Sequence, residues 1–115
     1  MPNIPINNTI SIVEIIANDT VSGIKRRPVY VVKTNGIMIQ CYAVTTKFAN
    51  KSKHIQDAYF EIADWQYANL NNQSWIDTNT LYNVSVEKVT TRYVGILSAR
   101  DSVKFAEFLE MRNGS

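Results

Sequence analysis

Short apolar runs separated by polar, turn-rich stretches set the pattern of the chain. Residues 10–16 (Ile10-Ser11-Ile12-Val13-Glu14-Ile15-Ile16) partly alternate and predict a first strand. Residues 18–23 are rich in Asn, Asp, Ser and Gly, and predict a loop that runs on to Arg26. The β-branched and aromatic run Val29-Tyr30-Val31-Val32 predicts a second strand over residues 28–33, with Pro28 at its start or on an edge because proline has no N–H for the ladder. Asn35-Gly36 between two apolar runs is a hairpin signal, so a third strand over 37–45 folds back along the second. Counting out from that turn brings residues near Thr45 to the same end as Arg27, unless a bulge shifts the register.

Residues 47–56 are polar and basic without periodicity and predict a loop long enough to cover a ligand. A short strand over 58–62, one or two helical turns over 63–70 with Asp64 as N-cap, and strands over 73–82 and 91–97 follow. Ser98 is the N-cap of a final helix, with Asp101 three residues on and Val103, Phe105, Ala106, Leu109 and Met111 at helical spacing. The pattern predicts a mainly β, β-rich α+β single domain over residues 1–115. Residues 1–9 form an irregular lead, and the last helix covers the open side of an antiparallel sheet.

Charge changes this picture more than composition does. Residues 20–56 hold seven Lys or Arg and no acid, against five bases and all ten acids elsewhere, or +7 against −5. A basic face of that kind attracts polyanions, although it also fits a merely solvated surface. No apolar run approaches the ~18 residues of a membrane span, and the first residues do not read as a secretion signal. With a single cysteine, Cys41, and a single histidine, His54, there is neither an internal disulfide nor a zinc set. A cytoplasmic protein without cofactor or metal is the expectation. No glycine-rich phosphate loop or dinucleotide fingerprint is present, and Cys41, inside a strand, reads as core filler.

What remains is Arg27, held extended by Pro28, a hydroxyl pair at Thr45 and Thr46, one histidine and scattered carboxylates. Threonines at a strand end are ordinarily just β-formers. As a set, however, these residues suit cleavage of a phosphodiester that carries its own nucleophile, as RNA does in the 2′-hydroxyl. The protein then holds the geometry, stabilises negative charge with a guanidinium fork and a hydroxyl, and moves two protons.

The stretches Gly23-Ile24-Lys25-Arg26-Arg27-Pro28-Val29-Tyr30-Val31-Val32 and Tyr42-Ala43-Val44-Thr45-Thr46 resemble the MazF/PemK family of toxins from bacterial toxin–antitoxin pairs, in its PemK-like branch of Gram-positive bacteria. Tyr59-Phe60-Glu61-Ile62-Ala63-Asp64-Trp65, Gln73-Ser74-Trp75-Ile76-Asp77 and Val94-Gly95-Ile96-Leu97-Ser98 continue the likeness, which spans about residues 10–112. The resemblance implies a compact SH3-like antiparallel β-barrel (MazF/CcdB-like) and a homodimer. It also implies metal-independent, sequence-specific cleavage of single-stranded RNA or mRNA, neutralised by a cognate antitoxin. The family's catalytic Arg falls on Arg27 and its catalytic Thr on Thr45. Thr46, Asp77 and His54 are possible assisting residues, and Lys25, Arg26, Lys47, Lys51 and Lys53 are expected to bind RNA. Two alternatives share the fold: a non-catalytic toxin that poisons a protein such as DNA gyrase, and a catalytically silent binder of RNA or antitoxin.

Overall fold

A computed structural model describes residues 11–17 and 26–113. Strands β1 (Ser11–Ala17), β2 (Arg26–Thr34) and β3 (Met38–Thr45) come first, followed by a short helix α1 (Lys53–Gln56) and strands β4 (Tyr59–Ile62) and β5 (Ser74–Ser85). A single 3-10 turn (Val86–Lys88), strand β6 (Val89–Gly95) and helix α2 (Ala99–Asn113) complete the chain. All six strands join one antiparallel sheet in the order β4-β5-β3-β2-β1-β6. The mainly β, antiparallel expectation is met. Among the described residues no helix is long and apolar enough to cross a membrane.

No ladder closes the sheet between its edge strands β4 and β6. The chain leaving β4 occupies that gap as a single helical turn. The Ala68 N–H donates to the Asp64 carbonyl, the Asn69 N–H to Gln66 and the Leu70 N–H to Trp65. With Asn69 at φ 63° this is a left-handed cap that ends the turn after one round. The Asn69 side chain then donates to the Val94 carbonyl at 2.9 Å, and buried Ala68 sits on Gly95. The sheet's two ends are thus tied through side chain and packing instead of by strand pairing.

Strand alternation sorts the apolar residues onto two faces. Ile12, Tyr30, Val44, Phe60, Ile62 and Ile76 pack beneath α2 around Phe105. The Phe105 ring lies 4.9 Å from Tyr30, edge-on, and 5.0 Å from Phe60. Burying a side chain of this kind stabilises the fold by about 1.5–3 kcal/mol. Burial also pushes the Tyr30 hydroxyl up to about 12. The second face carries a smaller cluster of Val13, Val29, Val31, Ile39 and Cys41, with Ile15, Val84 and Val86 at its margin. Burial pushes the Cys41 thiol up to about 11, which suits core filler and not a nucleophile.

Helix α2 is seated as its sequence predicts. Ser98 Oγ accepts the Asp101 N–H at 3.2 Å. Asp101, buried, does not reach back to complete a capping box; it accepts the N–H groups of Ala63 and Asp64 at 3.2 and 2.8 Å. Asp64 does not spend its carboxylate as an N-cap, because Arg100 forks onto it at 2.7 and 2.6 Å and Ser98 Oγ donates to it.

Three further details depart from expectation. Residues 47–56 are not all loop: Ser52 accepts the Ile55 N–H and opens the four-residue α1. Pro28 is the third residue of an inner strand, not its first. It is tolerated because the β2–β3 ladder begins only at Val29, so at Pro28 just the β1 side is paired. The hairpin also turns one residue later than expected, with Gly36 (φ 88°) and Ile37 between the paired Asn35 and Met38.

Candidate functional site

The β2–β3 register is Thr34 to Ile39 at the hairpin, but Val31 to Cys41 and Val29 to Ala43 beyond a bulge at Val32. Continued by two residues, the latter register sets Arg27 opposite Thr45. Both strands are unpaired to each other at that point, so their ends open into a cleft on the second face of the sheet. The cleft encloses about 840 Å³. Its floor is apolar, from Val29, Cys41 and Ala43, and Arg27 of β2 and Thr45, Thr46, Lys47 and Lys51 at and beyond the end of β3 line its rim. Asp77 and Tyr82 of β5 and Tyr59 of β4 line the cleft as well.

Thr45 Oγ1 accepts the Lys47 N–H at 3.0 Å, which bends the chain out of β3 and turns Thr46 and Lys47 along the rim. Arg27 and Lys47 are exposed, so their charges stay hydrated until a ligand arrives. Asp77 lies opposite Ala43 on β3 and opposite Tyr59 on β4. Its Oδ1 accepts both the N–H and the side-chain N–H of Asn79, at 2.9 and 2.8 Å. Burial, and after it the negative charge of neighbouring Asp77, raises the Tyr59 pKa. Beyond Asp77 the β5 strand leaves its partner. Five steps from Asp77 to Tyr82 match two steps from Ala43 to Cys41, so residues 78–81 bow outward by three extra residues.

Of the expected site residues, Arg27, Thr45, Thr46, Asp77, Lys47 and Lys51 come together around this cleft. Lys53 and His54 do not line it; they are exposed on α1, where Lys53 pairs with Asp57 at 3.2 Å. Lys25 lies outside the described residues, as does the side chain of Arg26, whose backbone pairs with Ile16. Trp75 stacks on Phe48 at 4.7 Å, and Trp65 packs against the core under α2, so both are engaged in packing. Tyr59 and Tyr82 went unread in the sequence, since only the pairing of β5 with β3 and β4 brings them to the cleft. Among the described residues no three His, Cys, Asp or Glu side chains gather as metal ligands. No protein-family model matches the chain, and no curated protein matches it.

Proposed function

We propose that the protein is a metal-independent, sequence-specific endoribonuclease acting on single-stranded RNA, a toxin of the MazF/PemK type held in check by an antitoxin. The observation that carries this reading is the meeting of Arg27 and Thr45 at one cleft mouth, flanked by Lys47 and Lys51 and floored by apolar side chains. A guanidinium fork beside a hydroxyl suits the doubly charged phosphorane-like state, and the two lysines suit the neighbouring phosphates. The RNA 2′-hydroxyl supplies the nucleophile, so the protein's task is to hold the attack in line and neutralise charge. The open six-stranded sheet is read as the strand set of an SH3-like barrel, and the protein as a cytoplasmic homodimer. The likeness of the Arg-Pro strand and of the Val-Thr-Thr strand end to that family supports these finer points.

The test is cleavage of a long single-stranded RNA in EDTA, beside Arg27→Ala, with the fragment ends mapped. Discrete cuts that persist in EDTA and vanish in a folded Arg27→Ala support the reading. A folded wild type that never cuts moves the cleft to a binding role, and gyrase inhibition becomes the next assay.

A further inference from the structure

Arg27 and Asp77 place opposite charges on the lining of one cleft. Register alone places Asp77 two strands from Arg27, ~10 Å across the sheet, so the acid shares the apolar floor with Arg27 but lies beyond contact with it. A phosphate bound at Arg27 is repelled from Asp77, so whatever fills the far side must present hydrogen-bond donors. Tyr59 pairs directly with Asp77 across β4 and β5 and lines the same cleft, and its phenolic oxygen adds lone pairs there. Asp77 Oδ1 already accepts the two Asn79 donors, so Oδ2 carries the carboxylate's remaining acceptor capacity. The far side therefore presents two neighbouring acceptors, one charged, above an apolar floor that suits the face of a planar ring.

Among the four RNA bases only guanine carries two adjacent donors, N1–H and the 2-amino group. Cytosine and adenine pair an amino donor with a ring-nitrogen acceptor, and uracil flanks its single N–H with two carbonyls. Resting on the ribonuclease reading above, we propose that Asp77 and Tyr59 form a guanine-reading pocket beside the phosphate site, which makes them specificity-determining residues of the cleft. Guanine N1–H and the amino group donate to the carboxylate and the phenolic oxygen while the ring lies over Val29, Cys41 and Ala43.

Binding of short uridine oligonucleotides with one central guanosine, inosine or uridine tests this, with 2′-fluoro sugars throughout to block cleavage. Inosine keeps N1–H and lacks only the amino group. Wild type is expected to bind the guanosine oligonucleotide about tenfold more tightly than the inosine or uridine ones, in line with the discrimination of a good bidentate pair. The ratio is expected to fall towards one in Asp77→Asn and in Tyr59→Phe, each checked for wild-type melting. Equal binding of the three oligonucleotides by wild type overturns the pocket while leaving the RNA reading standing. So does a guanine preference that survives in both variants. Failure to bind any of the three overturns the RNA reading and the pocket together.

Discussion

Thr45 faces Arg27 across the mouth of the cleft with its hydroxyl oxygen already accepting the Lys47 N–H. That bond uses one lone pair and leaves the hydroxyl proton for a phosphate oxygen. Thr45→Ser keeps both functions and is expected to cleave within a few-fold of wild type. Thr45→Val loses both and is expected to lose about 10²–10³ in cleavage rate, the usual cost of one removed oxyanion donor. Its melting temperature is expected to stay close to wild type, because the Lys47 N–H is at the surface and water takes over. Rate and melting curves measured on the same preparations check this, and a Thr45→Val protein as fast as wild type removes Thr45 from the site.

Lys51 lies on the same rim and is exposed. Lys51→Ala is expected to weaken RNA binding similarly for all sequences and to lower the slope of log affinity against log salt by ~0.7, the value for one phosphate contact on a single strand. Lys53→Ala, on α1 and engaged with Asp57, is expected to leave the slope unchanged. Titrations across a salt series distinguish the two.

Asp64 is held from its ordinary 3.8 down to about 2, first by the Arg100 fork and then by the Ser98 hydroxyl. A depressed carboxylate stabilises the fold above its unfolded pKa, and that contribution is lost as pH falls through the folded value. The urea midpoint of wild type is therefore expected to exceed that of Asp64→Asn at pH 5 to 7. The two are expected to converge as pH falls from about 4 towards 2. A gap that persists at the acid end shows that packing, not charge, holds the turn.

A methyl group added at Gly95 would overlap the Ala68 carbonyl, and the obstacle is backbone, not a movable side chain. Gly95→Ala is expected to cost ~1–3 kcal/mol, as overpacking does, and to release the turn that joins the two sheet ends. Thermal melting gives the cost, and hydrogen exchange at Ala68 and Asn69 shows whether the loss starts there. An unchanged melting curve would mean the turn shifts freely.

Local chemistry made most of the strands and α2 legible. The Asn35-Gly36 pair marked the hairpin, and Ser98 marked the start of α2. Register was harder to read, because the later turn moves the partner of each β2 residue by two positions and the bulge at Val32 moves it back by one. Those shifts cancel to within one residue, which is why counting from the turn still brought Arg27 and Thr45 together. Tyr59 could not be found that way. Its place depends on β4 pairing with β5 across the 63–70 turn, and no short-range signal fixes the register of that pair. Helix α1 was hidden because four residues show no periodicity, leaving only the Ser52 cap as a sign.

The outward bow of residues 78–81 separates two kinds of change in the cleft. Pairing is set on both sides of it, at Ala43 and at Cys41, so chain length between them can vary without displacing the strand that carries Thr45. Asn79, which orients Asp77, lies within that bow. On the proposed reading, Arg27 at the phosphate sits on an inner strand, whereas Asp77 at the base depends on this excursion, whose Thr78 and Asn79 are tied to Ala58 and Ile55. On that reading, a few residues of one excursion can change the target sequence while the phosphate site stays in place.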